Sequence, residues 1–276
     1  MERLVFRVFE HARVSIVVPA YNEWRHTHLC LRAVLEHTAA PAFEVLLADD
    51  ASTDRTMDAP LLLDNVVVVR DGRRRGFLGN CNQAARFARG EYLVLLNNDT
   101  VVQPGWLEAL VATADRDPRI GIVGAKILYE DGRLQDAGGV VYRDGSAARY
   151  GKDGDPAAPA YNQLRDVDYV SGCCLLVRRD LWRRLGGFDG RYSPGYYEDV
   201  DLAFRVRANG FRVIYEPGAV VAHSEGASHG HDPSSGAKRF LPRNAEIFRS
   251  TWAEELVRDR SDRPPEPAAW DPGDEL

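Results

Sequence analysis

Residues 94–102 read "VLLNNDTVV". A short apolar run stops at two amides, a carboxylate and a hydroxyl, and the chain then turns apolar again. A bounded apolar run of this length reads as a buried strand, so Asn97, Asn98 and Asp99 sit at a strand tip. Two readings compete for them. Asn and Asp are ordinary turn residues, but a carboxylate flanked by amides is also what a metal ion or a phosphate needs. The chain on either side decides between them.

Working outward, the first half alternates strand and helix signals. "VSIVVP" (14–19), "FEVLLA" (43–48), "NVVVVR" (65–70), "EYLVLL" (91–96) and "IGIVGAKIL" (120–128) read as strands. Leu31, Val34 and Leu35 repeat at helical spacing, residues 79–89 form a helix stopped by Gly90, and Pro104 opens a helix with Leu107, Leu110, Val111 and Ala114 on one face. Short, fully apolar strands alternating with helices predict an α/β fold with a mostly parallel central sheet flanked by helices. Ligands bind such sheets beyond the carboxyl ends of the strands. Three ends are polar: "PAYNE" after the first strand, "DDASTD" after the second and "NNDT" after the fourth. Three at one edge make the pattern of a site.

The second half reads differently. "GGVVYRDG" is a strand into a turn, and residues 145–163, rich in Gly, Ala, Pro and Asp, read as a mobile loop. "VDYVSGCCLLVRR" (167–179) reads as a long strand, residues 180–185 as a short helix ended by Gly186-Gly187, and "GFRVIYEPGAVVAH" as two strands joined at Pro217-Gly218. Residues 225–238 read as flexible, 242–258 as a helix, and the Pro-rich end as a linker or tail. The expected organisation is one domain over 1–225, with a nucleotide-binding half at about 13–125 and an acceptor and catalytic half at about 126–225. A flexible loop, helix and tail over 226–276 complete it.

Composition narrows the function classes. With 276 residues, 45% of them hydrophobic, the chain buries a substantial core. A net charge of −6 argues against a nucleic-acid binder. Arg73-Arg74-Arg75 is a short basic cluster whose plain reading is a solvated loop. Cys30, Cys81, Cys173 and Cys174 lack C-x-x-C spacing and read as reduced thiols of a cytoplasmic protein. No run approaches the length of a membrane span, which leaves peripheral association at the inner face of a membrane open.

Taken together, "VVPAYNE", "ADDASTD", "RGFLGNCNQAARFARGEYLVLLNNDT", "GGFD" and "YYEDVDLAFRVRANGFRV" resemble the family 2 glycosyltransferases of GT-A fold, closest to rhamnosyltransferase-like and O-antigen-type members. The resemblance runs from about residue 13 to residue 223, with "NAEIFRSTW" as its outer limit. It implies a Rossmann-like sheet with a smaller acceptor-side region, and inverting transfer from a UDP-, dTDP- or GDP-sugar to a glycan or lipid-linked acceptor in surface polysaccharide synthesis. It places Pro19, Tyr21, Glu23, Asp49 or Asp50, Arg75, Gly76, Asn82, Asn97 and Asn98 on the donor side. Which of the three arginines meets phosphate stays open. Where the family has Asp-x-Asp, Asn97 replaces the first Asp, so Asp99 is the main carboxylate ligand for Mn²⁺ or Mg²⁺. His223, after "AVVA", matches a family metal ligand, and an imidazole leans the site toward Mn²⁺. In "EDVDLAFRVRANG" the family identifies Asp199 as the base, although acids in a first helical turn are also common for dipole reasons. Glu198, Gly187, Phe188 and Trp182 fall on the acceptor side, with Trp182 either a stacking face or core. Three rivals are weaker: a nucleotidyltransferase, which would carry a Gly-rich loop with a lysine after the first strand; a non-catalytic binding module; and a zinc site from His223, His229 and His231.

Overall fold

The structure, a computed structural model, describes residues 2–224 and 238–261. The Gly/Ser/His-rich stretch 225–237, with His229 and His231, and the tail from 262 lie outside the described residues. The strand Tyr92–Leu96 that leads into "NNDT" occupies the middle of a large sheet. On one side it pairs in parallel with Val14–Ala20, which continues in parallel to Phe43–Asp49 and Val66–Val69. On the other it pairs antiparallel with Cys174–Arg178, followed by Ile120–Leu128, Arg212–His223 and the short edge strand Arg165–Asp166. The expected mostly parallel α/β sheet is therefore present. Cys174–Arg178 is inserted between strands of the first half, so both halves share one sheet, and the division near residue 125 falls inside Ile120–Leu128.

Successive residues of the central strands bury opposite faces. Ile16, Val18, Val45, Leu47, Val94 and Leu96 join one core with Trp24, Leu31 and Val34 of the helix Trp24–His37 and Trp106, Leu107 and Leu110 of the helix Trp106–Asp115. Val17, Leu46, Leu93 and Leu95 join a second core with the helices Gly76–Ala84, Arg179–Leu185 and Glu198–Ala208 and with Phe248. Coverage on both faces explains why these strands are apolar throughout rather than alternating.

Several expectations change. The helix after the third strand begins at Gly76, not at residue 79, and continues as a 3₁₀ turn at Ala85–Phe87. Residues 145–163 are not a bare loop: Ala147–Arg149 pairs with Gly139–Val141, and Pro159–Tyr161 is a 3₁₀ turn. "VDYVSGCCLLVRR" is a strand only over Cys174–Arg178, because the backbone before it leaves the ladder and turns its amides elsewhere. Arg212–His223 is one strand with a register shift between Glu216 and Val220, so Pro217-Gly218 makes a bulge, not a break. The C-terminal helix is two, Leu241–Thr251 and Ala253–Asp259, divided at Trp252. No helix among the described residues is long and apolar enough to cross a membrane.

Candidate functional site

A cavity of about 390 Å³ opens at the carboxyl ends of Val14–Ala20, Phe43–Asp49 and Tyr92–Leu96. Pro19, Tyr21, Asp50, Gly76, Asn97 and Asn98 line it, so all three polar strand ends reach one space. The adjacent carboxylates divide the work. Asp49 points into the fold, where it accepts the Ser52 N–H and pairs with Arg70. Asp50 faces the cavity and accepts the backbone N–H groups of Arg75 and Gly76 at 2.5 and 3.0 Å. Gly76 has φ of +70°, a left-handed conformation that glycine adopts without steric cost, and this lets two successive amides converge on one carboxylate.

The arginine reading needs correction. The Arg75 side chain turns away to pair with Asp71, while Arg74 lines the cavity, its guanidinium 3.2 Å from the centroid of the Tyr21 ring and its Nε 3.9 Å from Asp50. Asn82 is also displaced from the donor list. Its amide is used at both ends by Phe188, donating to the carbonyl at 2.8 Å and accepting the N–H at 2.9 Å. Asn80, two residues earlier, lines the cavity instead and donates to Ala48 O. Glu23 has an exposed side chain that does not line the cavity. Its carbonyl accepts the His26 and Thr27 N–H groups that start the first helix.

"NNDT" is both a turn and a site. The strand Thr100–Val102 pairs with the end of Arg212–His223 so that Thr100 lies opposite His223. That register brings Asp99 Oδ1 to 3.3 Å from His223 Nε2, both side chains largely buried. Gln135 Oε1 lies 3.0 Å from His223 Nδ1 and fixes the ring orientation. The turn itself is closed by Thr100 Oγ1 donating to Asn97 O, and Asn98 is held by Thr27. One carboxylate oxygen and one imidazole nitrogen suit Mn²⁺ and, less well, Mg²⁺. Among the described residues no cluster of three His, Cys, Asp or Glu side chains supplies a closed site. The donor set therefore fits an ion that completes its shell with phosphate and water. All four cysteines are free and buried.

The third corner is the start of the helix Glu198–Ala208. Asp199 accepts the Gly172 N–H at 2.9 Å and the Val200 N–H at 2.8 Å. Gly172 precedes Cys173, whose carbonyl accepts the Asn97 N–H, so one short backbone link joins Asp199 to the "NNDT" turn. Burial raises the pKa of Asp199, opposed by these amides and by Arg149. Glu198 is driven further up, by burial and then by the charge on Asp199. The two carboxyls titrate as a coupled pair, both raised, with Glu198 well above the ordinary carboxylate value. Asp201, fully buried, is an anchor: it accepts from Tyr192 and Trp252 and pairs with Arg205. Tyr196 and Tyr197, just before the helix, have φ of 73° and 69°. Side chains in that region cost about 1–2 kcal/mol each, so surrounding contacts must hold the turn.

Among the residues expected on the acceptor side, Trp182 takes its core alternative, and Gly187 and Phe188 are also buried. Trp182 and Phe188 are buried and meet edge to face at 5.1 Å, leaving no open ring for a sugar. Gly187, with φ of +74°, accepts from Arg205 and leaves no room for a Cβ against Asn82. Arg205 of the helix Glu198–Ala208 donates to Leu185 O and Gly187 O and so ties that helix to this segment. Sequence reasoning left Arg74 among three open candidates and passed over Gln135, Asp136, Arg149 and Gly172. Only Arg74 had a signal, the basic triplet. Asp136, buried beside Arg149, has its pKa pushed up to about 6 by burial.

With this geometry established, comparison with known proteins is direct. Residues 15–186 match the family model described as Glycosyl transferase family 2. The chain is 34% identical over 238 residues to the O-antigen biosynthesis protein RfbC of Myxococcus xanthus, covering 83% of this chain and 18% of that one. It is 33% identical over 245 residues to the N-acetylglucosaminyl-diphospho-decaprenol L-rhamnosyltransferase of Mycobacterium tuberculosis, covering 80% and 79%. The chain spans 27% and 18% of the length of two of the curated relatives it matches. The crystal structure of GalNAc-T7 with UDP, GalNAc and Mn²⁺ superposes with a TM-score of 0.67 at 19% identity over 90% of this chain and 49% of that one. That likeness establishes the GT-A fold.

Proposed function

The chain belongs to glycosyl transferase family 2, and we propose that it transfers a sugar, with inversion, from a nucleoside-diphosphate donor to a hydroxyl of a glycan or lipid-linked acceptor at the cytoplasmic face of a membrane. The observation that carries this reading is the meeting of three corners. A cavity of about 390 Å³ is lined by Asp50, Asn97 and Asn98, the Asp99–His223 pair follows in the same "NNDT" turn, and the half-buried Asp199 is linked to Asn97 through Gly172 and Cys173. The relative named as an L-rhamnosyltransferase supports a deoxyhexose as the transferred sugar, on a UDP, dTDP or GDP carrier.

Asp50, Tyr21 and Arg74 hold the nucleoside, with Asp50 accepting hydrogen bonds from base or ribose. Asp99 and His223 hold Mn²⁺ in preference to Mg²⁺; when bound, the ion neutralises charge on the departing diphosphate. Asp199 accepts the proton of the acceptor hydroxyl as its oxygen attacks the anomeric carbon from the face opposite the leaving group. Burial makes Asp199 a stronger base than an exposed carboxylate, and the Gly172 amide fixes where its Oδ2 points.

The test is binding and turnover. Thermal shifts with dTDP, UDP and GDP are expected to be larger with Mn²⁺ present, and Asp99→Ala and His223→Ala are each expected to lose that Mn²⁺-dependent part. Undiminished Mn²⁺-dependent binding in both variants would remove them from the ligand set. Failure of the wild-type chain to transfer or hydrolyse any dTDP-, UDP- or GDP-sugar would sink the transferase reading.

A further inference from the structure

Asp199 lies in the first turn of the helix Glu198–Ala208, and the loop that leads into it, residues 191–197, forms neither helix nor sheet beyond one 3₁₀ turn at Gly190–Tyr192. Its carbonyls are met from elsewhere. Asn244 Nδ2 donates to Tyr192 O and Gly195 O at 2.7 Å and to Tyr196 O at 3.1 Å. Arg243 donates to Ser193 O at 3.0 Å and Arg191 O at 3.1 Å. Two neighbouring side chains thus take five of the loop's carbonyls. Asn244 is fully buried, and its Oδ1 has no partner among the described residues. A buried amide with one end unsatisfied persists where the other end is needed. Only the amide nitrogen, not the oxygen, is compatible with three surrounding carbonyls, so the side chain has one orientation.

The same helix, Leu241–Thr251, begins at the donor cavity. Arg239 and Phe240, immediately before it, line that cavity together with Tyr21, and so does Pro194 from the clamped loop. All of this lies beyond residues 15–186.

We propose that the helix Leu241–Thr251 is a working part of the site, with Asn244, aided by Arg243, as a positioning residue that fixes the loop 191–197 and through it the Asp199 carboxylate. The inference rests on the reading of Asp199 as the base. Left-handed backbone at Tyr196 and Tyr197 aims the helix start toward Gly172, and the Asn244 clamp holds that turn in place. Losing the clamp frees the carboxylate to drift, which costs turnover without removing any group that touches the nucleotide.

The experiment uses the full chain and whichever dTDP-, UDP- or GDP-sugar the wild type hydrolyses, read as diphosphate release. Asn244→Ala is expected to lower kcat by about 10²-fold while the Kd for the nucleoside diphosphate with Mn²⁺ changes only a few-fold. Amide exchange is expected to accelerate in 192–200 and not in the central strands. In an Asp199→Asn background the same substitution is expected to cost almost nothing more, because it acts through Asp199. Wild-type kcat in folded Asn244→Ala, or an equal loss in both backgrounds, overturns the proposal. If Asn244→Ala does not fold, Arg243→Ala, which removes two of the five bonds, is read the same way; unchanged exchange and kcat in it overturn the proposal too. Wild-type turnover by Asp199→Asn would instead overturn the base assignment, and the exchange of 192–200 would still decide whether the helix holds the loop.

Discussion

The donor wall and the base corner of this site are built by opposite means. Three donor-wall residues follow directly on strands that run parallel to one another: Tyr21 after Val14–Ala20, Asp50 after Phe43–Asp49, Asn97 after Tyr92–Leu96; Arg74 comes from the loop after Val66–Val69. The base corner draws on segments far apart in the chain: Asp136 and Arg149 from short strands, Gly172 from an irregular turn, Asp199 from a helix start and Asn244 from the C-terminal helix. A wall made by strand ends inherits its position from the sheet. A corner made by distant segments depends on side-chain bonds, so single substitutions should disturb its chemistry and stability more.

The largest expected effect is at the base. Asp199→Asn should lower kcat by about 10²–10⁴-fold with diphosphate affinity retained. Its neighbour should behave otherwise. Burial and the neighbouring charge raise the Glu198 pKa well above the ordinary carboxylate value, so Glu198→Gln copies a neutral form and should keep turnover within a few-fold. Because burial raises the pKa of Asp199, activity should rise with pH along a limb above the ordinary carboxylate value, as that group ionises. Steady-state pH profiles of both variants check this. Loss in Glu198→Gln equal to that in Asp199→Asn would mean that turnover needs Glu198 ionised.

The same contrast explains what could be read from the sequence. Alternating strands and helices, apolar on both faces, gave the sheet, and the sheet placed the three polar ends together. Periodicity cannot tell which of two adjacent residues faces the cavity. Asp49 and Asp50 differ only in that Arg70 and the Ser52 amide claim the first, and Arg74 and Arg75 only in that Asp71 claims the second. Asn82 and Trp182 looked like ligand contacts because amides and indoles often are, but Phe188 occupies both. Asn244 opens "NAEIFRSTW", the outer limit of the resemblance, but its contacts were not legible there: its partners lie about fifty residues away in a loop whose conformation no spacing rule describes.

A second prediction concerns stability. Asp136 has its pKa raised by burial from 3.8 to about 6. The native state therefore keeps this proton at pH values where the unfolded chain has released it. Stability falls as pH rises through that window, by up to about 3 kcal/mol between roughly pH 4 and pH 6. Asp136→Asn, neutral throughout, lacks the slope, so its stability relative to wild type should improve across the window. Denaturant melts at both ends measure it, and parallel pH dependence in the two proteins would show that Asp136 is not held protonated. A donor-wall carboxylate such as Asp50, already met by two amides, offers a control at which the Asn variant loses a good acceptor.

The smallest effect separates two adjacent arginines. Arg74 stacks on Tyr21 at the cavity, a contact worth about 0.5–2 kcal/mol depending on desolvation. Arg74→Ala removes that contact and a cation from the wall, so the Kd for a nucleoside diphosphate should weaken about tenfold, equivalent to about 1.4 kcal/mol. Arg75→Ala breaks only a surface pair with Asp71, worth about 0–1 kcal/mol. It leaves intact the backbone N–H that Asp50 accepts, because that group belongs to the main chain. Arg75→Ala should therefore bind as the wild type does, and Tyr21→Ala combined with Arg74→Ala should be little worse than either alone. Calorimetric titration with dTDP and Mn²⁺ reads all of these. If Arg75→Ala proved the weaker binder, the triplet would have to rearrange when the diphosphate enters, and the donor wall would be no more fixed by the sheet than the base corner is.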